Sequence, residues 1–304
     1  MSFSLEDILN EIILGQCIIS VICEVISLFC FSILLYTLVI KKLKSVIETS
    51  PTMILYIVIE TLLNFSTILY LMYLSIFWNQ KKSKYNAYWL YSVGGVQNLI
   101  MTISPIPAFF LGVDRCFCVW FPISYNEKKK KITVFAAIFV IIVFLIICVF
   151  LRILVNVPKS PETTCMTLGC MMSNSSGQVY TTLRYIAGIA NFIVGLTLGF
   201  IIKKYKISVH KSNTLVLVTL VMTFFCDLCP HLFSFASYTF FQYNVSKSLG
   251  LYSLVASAVE SCCCALFYKH SFRSQINPSQ SSKSHHSTLK TITIKSKKIL
   301  SVIY

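Results

Sequence analysis

Seven apolar runs, each close to the length of a membrane-crossing helix, are separated by polar or charged connectors. They extend from Gln16 to Ile40, Met53 to Trp78, Trp89 to Val113, Ile132 to Val155, Leu183 to Ile202, Leu215 to Phe235 and Leu249 to Tyr268. About 20 helical residues cross the roughly 30 Å hydrocarbon layer. None of the runs shows the period-two alternation of a barrel strand. The pattern predicts an all-α membrane protein, a seven-transmembrane helix bundle whose helices are numbered 1 to 7 in chain order. The third run holds Gly94, Gly95, Pro105 and Pro107, and its continuity predicts one kinked span rather than two short pieces.

Composition agrees with the pattern. Of 304 residues, 56% are hydrophobic and 12% charged, with a mean hydropathy of +0.75, whereas a soluble domain is about half apolar and about a quarter charged. The net charge of +15 is unevenly placed. With the N-terminus outside, the inner connectors and tail hold nineteen lysines and arginines and the outer connectors five, while Arg152 and Arg184 fall near outer helix ends. That bias orients the N-terminus outside and the C-terminus in the cytoplasm. The excess positive charge therefore reads as topology plus attraction to an anionic inner leaflet, and no separate basic domain suggests nucleic-acid binding. The chain divides into an extracellular N-terminus (1–15), a seven-helix domain (16–268) and a basic, Ser- and Lys-rich flexible cytoplasmic tail (269–304). Glu6, Asp7 and Glu11 precede the first run without a basic region, which predicts an uncleaved anchor rather than a signal peptide.

Most of the thirteen cysteines fall inside predicted helices, where they pack as small apolar residues. Cys165 and Cys170 fall in an outer connector, where a disulfide is permitted; they either pair or remain free thiols. Asn174-Ser175-Ser176 and Asn244-Val245-Ser246 are N-glycosylation sequons in loops expected outside. Asn64-Phe65-Ser66 has the same form but lies within helix 2.

Helix 3 ends in LGVDRCFCVWFPISYNEKKKK, Leu111 to Lys131. An arginine near lipid must pair, face the bundle or reach the interface, and Asp114 is the nearest counter-charge to Arg115. Asp114, Arg115, Pro122 and Tyr125 resemble the helix-3 signature of rhodopsin-like G-protein-coupled receptors. That resemblance implies that Asp114 restrains Arg115 at rest, that Arg115 turns toward a G protein on activation, and that the loop bearing Pro122 and Tyr125 packs against it. The plain alternative is an interfacial membrane anchor.

Departures from that family narrow the resemblance. No cysteine stands at the outer end of helix 3, helix 6 reads FFCDLCP with Leu228 in place of the usual tryptophan, and helix 7 ends ESCCCALFYKH without Asn-Pro-x-x-Tyr. KKYKISVHKSN at the inner end of helix 6 has no acid to lock Arg115. DR…FPISY with its basic loop, followed by TTCMTLGC, is most similar to the nematode serpentine chemoreceptors of classes BC and XA. Such a receptor is implied to sit in the plasma membrane of chemosensory cilia, to bind a small odorant or soluble chemical, and to activate a heterotrimeric G protein, with no cofactor.

Polar residues within a bilayer usually face the bundle interior. Asp227 and His231, four apart on helix 6, Glu260 on helix 7, and Gln97 and Asn98 on helix 3 are candidate ligand-cavity residues, or they pair among themselves and with backbone freed by Pro230. Pro230 is the expected hinge of helix 6. Glu60 lies at the depth of a sodium-binding acid in rhodopsin-like receptors, although its surroundings do not match. The chain carries no His-Glu-x-x-His, Gly-x-Ser-x-Gly or phosphate-cradling loop, so an enzyme is not expected. The competing class is a small transporter or channel using Glu24, Glu60, Asp227 and Glu260, against which stands the lack of an internal repeat.

Overall fold

The structure, a computed structural model, describes residues 5–39, 50–78, 85–121, 125, 127–165, 167–205, 211–241 and 251–276. Helix 1 is Leu5–Val39 and helix 2 Pro51–Ile76. Helix 3 is Ala87–Ile103 and Pro105–Trp120, joined through Ser104. Helix 4 is Glu127–Cys148, continued by a π turn, Val149–Ile153, and a 3-10 turn, Leu154–Asn156. Helix 5 is Asn174–Tyr205. Helix 6 is Lys211–Thr223, a π turn Phe224–Leu228, and Cys229–Phe241; helix 7 is Tyr252–Ile276.

Six of these are long and apolar enough to cross a membrane, among them Glu11–Val39, Ala87–Trp120 and Ser176–Lys204. Helix 7, which packs against helices 1, 2 and 6, is not among them. Burial orders the bundle. The helix 3 span is 61% buried and that of helix 4 only 17%, which puts helix 3 at the centre and helix 4 at the edge. Outward residues such as Phe135, Phe139 and Phe200 are exposed, as a lipid-facing surface requires. The main core, Phe31, Tyr56, Leu111, Leu198, Leu220 and Tyr268 among others, joins helices 1, 2, 3, 5, 6 and 7.

Several boundaries differ from those the runs suggest. Helix 1 starts at Leu5, so most of the segment expected as a free N-terminus (1–15) is helical. Helix 7 continues through Ile276, beyond the residue 269 at which a flexible tail was expected. Helix 5 begins nine residues before Leu183, and Asn174 is its first residue rather than part of a loop. Lys128 to Lys131 form the first turns of helix 4 instead of a loop. Asn244 and Pro122 lie outside the described residues.

The connectors at the Ala87 end of helix 3 form a compact cap. Tyr85–Asn86 pairs antiparallel with Glu162–Thr163, and the Asn86 side chain caps helix 3 by accepting from the amides of Tyr88 and Trp89, both at 3.1 Å. Cys165 and Cys170 are joined by a disulfide. It closes the turn that leads into the short helix Leu168–Met171. Leu168, 3% exposed, donates its amide to the Tyr70 hydroxyl at 3.2 Å. Gly94 makes room for this: a Cβ there would lie 2.9 Å from the Tyr70 ring and 3.1 Å from Leu168. Closing so short a loop contributes about 2 kcal/mol through chain entropy. Cys165→Ser and Cys170→Ser are therefore expected to lower the melting temperature equally, and the double variant no further. Unequal losses in thermal unfolding would show that one thiol matters by itself.

Candidate functional site

Two polar centres lie along helix 3. At its Trp120 end, Asp114 and Arg115 are 1% and 6% exposed, because the helix runs five residues past Arg115. Asp114 Oδ2 is 3.7 Å from Arg115 Nε, an ion pair beyond hydrogen-bond reach. The other carboxylate oxygen accepts the hydroxyl of Tyr125. That hydroxyl also lies 3.2 Å from Thr133 Oγ1 of helix 4. Burial and then the neighbouring Asp114 carboxylate push the Tyr125 hydroxyl's pKa up, which keeps it a donor. Sequence reasoning grouped Asp114, Arg115 and Tyr125; it missed Thr133, which ties the loop back to helix 4. Arg115 Nε has no hydrogen-bond partner among the described residues. The contact of Nε with Asp114 is thus one of charge rather than a directed bond.

Mid-way along the bundle, Tyr56, Glu60, Ser104, Arg184, Thr223, Asp227, Glu260 and Ser261 contribute to the lining of a small central cavity. Its interior has room for about one water molecule, so an organic ligand enters only as the side chains part. Glu260 accepts the Thr223 hydroxyl at 2.6 Å. Glu60 accepts from Ser261 at 3.4 Å, and Ser261 also donates to Asn64 Oδ1 at 2.8 Å.

Arg184 is the residue that the sequence reading misplaced. It was assigned to an outer helix end, yet it is 3% exposed inside the bundle and donates to Asp227 Oδ1 and to the Met101 carbonyl. The signal was available: an arginine within a span needs an acid, and Asp227 stands within the next span. His231 Nε2 lies 3.5 Å from the same Asp227 oxygen, and its ring meets Tyr180 edge-on at 6.0 Å.

Of the five expected cavity residues, only Asp227 and Glu260 line the cavity. Gln97 is turned to Met101, its amide 3.3 Å from the sulfur. Asn98 accepts from Arg152 of helix 4, whose guanidinium also lies 4.6 Å over the Tyr180 ring. Asn98 is thus turned to helix 4 by the buried Arg152, 3% exposed, and Gln97 to its own helix. Glu24, 2% exposed, is not among the cavity's lining residues, and its Oε2 has no hydrogen-bond partner among the described residues.

Pro230 stands two residues after the end of the π turn of helix 6. A proline has no N–H to donate, and the Cys229 amide bonds the Phe224 carbonyl five residues back. Such π turns often mark functional positions.

No curated protein matches the chain. The family model described as Serpentine type 7TM GPCR chemoreceptor Srbc matches residues 9–270, which takes in all seven helices almost entirely. The chain is therefore a multi-pass membrane protein and belongs to the serpentine Srbc family of seven-transmembrane G-protein-coupled chemoreceptors.

Proposed function

We propose that the chain is a plasma-membrane chemosensory receptor, sited in the cilia of chemosensory neurons, that admits a small odorant or soluble chemical from outside into the central cavity and activates a heterotrimeric G protein at the Trp120 end of helix 3. The supporting observation is the vertical alignment of two centres on helix 3, a polar cavity at Ser104–Ala108 and the restrained Asp114–Arg115 pair two to three turns further on. Ligand entry separates the cavity walls, helix 6 turns at Pro230, and Arg115 becomes available to backbone carbonyls of the G protein. Tyr125 and the loop carrying Pro122 form the adjoining contact surface. Lys128 to Lys131 attract anionic lipid, each contributing about 1 kcal/mol near the surface.

The test is a calcium response in cells that co-express the receptor and a promiscuous G protein, screened against volatile and water-soluble compounds. A surface-delivered receptor silent across a broad panel, yet carrying a ligand-independent ionic current, would favour the transporter or channel reading. That reading draws support from Glu60, Asp227 and Glu260 lining one cavity.

The orientation is tested separately. With the N-terminus outside, Asn174 and Asn244 are luminal during synthesis, and the segment after Lys269 is accessible to protease added to intact microsomes. A protected tail inverts the topology and with it the position of the G-protein surface.

A further inference from the structure

We propose that Arg184 is a positioning residue that sets the resting state, its guanidinium tying the interruption of helix 3 to the π turn of helix 6. The first observation is on helix 3. Pro105 has no N–H, so the Met101 carbonyl four residues back loses its helical donor. Arg184 Nη1 supplies one, beside the Ser104 hydroxyl at 3.1 Å. The second is on helix 6, where Nη2 donates to Asp227, a π-turn residue three before Pro230.

The third observation is on helix 5 itself. Arg184, Gly188, Asn191 and Gly195 recur at helical spacing and share one face. A Cβ on Gly188 would lie 2.9 Å from Leu228 of the π turn, and one on Gly195 3.4 Å from Leu220. Asn191 donates to the Pro105 carbonyl at 3.0 Å. One face of helix 5 thus splints both irregular helices.

The tie sits where a small change becomes large. Lys211 and Asp227 are sixteen residues apart, about 24 Å of helix, so a tilt of about 10° at Asp227 moves the Lys211 end by about 4 Å. Helix 3 and helix 6 are in close contact along that length, since a Cβ on Gly112 would lie 3.0 Å from Leu220. Arg184 also lines the central cavity, and its Nε has no hydrogen-bond partner among the described residues. A ligand with a hydrogen-bond acceptor has that unpaired donor to take up. Taking it up turns the guanidinium, and the contacts to Met101 and Asp227 are the ones that yield.

The inference rests on the receptor reading only for what the movement signals. Spin labels placed by unnatural amino acids at Phe117 and Thr214, in full-length receptor in lipid nanodiscs, report the separation of helices 3 and 6 without a G protein. Arg184→Lys keeps the charge but loses the forked geometry. Gly188→Ala keeps every charge and pushes the π turn away from helix 5. Both are expected to add a population longer by about 3 to 4 Å, on the lever above, and to raise ligand-free nucleotide exchange on a G protein several-fold. Asp227→Asn is expected to do the same more weakly. A residue that only stabilises the fold would lower yield and melting temperature in these variants without lengthening the distance. Unchanged distance distributions in Arg184→Lys and Gly188→Ala overturn the tie. A longer distance with no rise in exchange upholds the tie and counts against the coupling role of the proposed function.

Discussion

Receptor carrying Arg115→Ala reaches the cell surface at a normal level and loses at least about tenfold of its ligand-driven G-protein activation, a deficit of about 1.4 kcal/mol in coupling. The two halves of this expectation have separate causes. Folding survives because the Asp114–Arg115 contact, at 3.7 Å, lies beyond hydrogen-bond reach, and Arg115 Nε is without a hydrogen-bond partner among the described residues. Asp114, left behind, retains the Tyr125 hydroxyl. Signalling fails because no other cation is buried beside Asp114 at this end of helix 3 among the described residues. Asp114→Asn removes the charge that restrains Arg115 and raises signalling in the absence of ligand. Surface delivery by antibody to an external tag and activation by nucleotide exchange, measured on the same cells, give both numbers. Full signalling from surface-delivered Arg115→Ala would reduce the pair to a membrane anchor.

Asp227→Ala destabilises the purified receptor by about 3 to 5 kcal/mol, the usual consequence of removing one member of a buried ion pair. Arg184 and Asp227 are 3% and 5% exposed, and His231 is the nearest alternative group but cannot replace an anion. The pair is expected to behave differently when replaced as a unit. Arg184→Met combined with Asp227→Leu removes both charges and fills the space, so most of the stability returns. The Met101 carbonyl still has the Ser104 hydroxyl in that variant. Eleven free cysteines, all within helices, report unfolding to a thiol-reactive dye during heating. A loss below about 0.5 kcal/mol for Asp227→Ala would be that of an ordinary surface change and would mean the pair carries no weight.

The seven spans were legible because lipid contact imposes long apolar runs on the helices that meet it. The same physics explains the misread ends. The first turns of helix 5 hold Ser176 and Tyr180, which face protein, Ser176 being fully buried against Asn156 and Ser173. A polar segment that packs on protein looks like a loop when lipid exposure is the criterion, and so Arg184 was taken for a terminal residue. Helix 7 was shortened for a related reason, since Lys269 and Arg273 follow its apolar part while the helix continues.

Pro105 and Pro230 lie beside the irregular backbone of helices 3 and 6, since a missing N–H is a local property. What fills the gap is not local. Met101 and Arg184 are 83 residues apart, and Arg184 and Asp227 are 43 apart. Their meeting depends on which helix faces are turned together. The grouping of Asp114, Arg115 and Tyr125 was within reach because Asp114 and Tyr125 are only eleven positions apart in the chain. The choice between classes BC and XA is resolved by the Srbc match.

The tie between Met101 and Arg184 also bears on how the chain is made. Helices leave the ribosome in order, so helix 5 enters the bilayer before helix 6, which carries Asp227. An arginine at the centre of a span costs about 2.5 to 3.5 kcal/mol on insertion scales, which bounds the cost of Arg184, in the first third of the span Ser176–Lys204. Helix 3 is already in place at that moment, and the carbonyl that Pro105 leaves open is the acceptor it offers. The proline that bends helix 3 thereby serves as a docking point for an incomplete nascent chain, and the carboxylate arrives afterwards to neutralise a charge already housed. A chain cut between helices 5 and 6 keeps the arginine without its anion, and quality control in the endoplasmic reticulum meets it as an unassembled span.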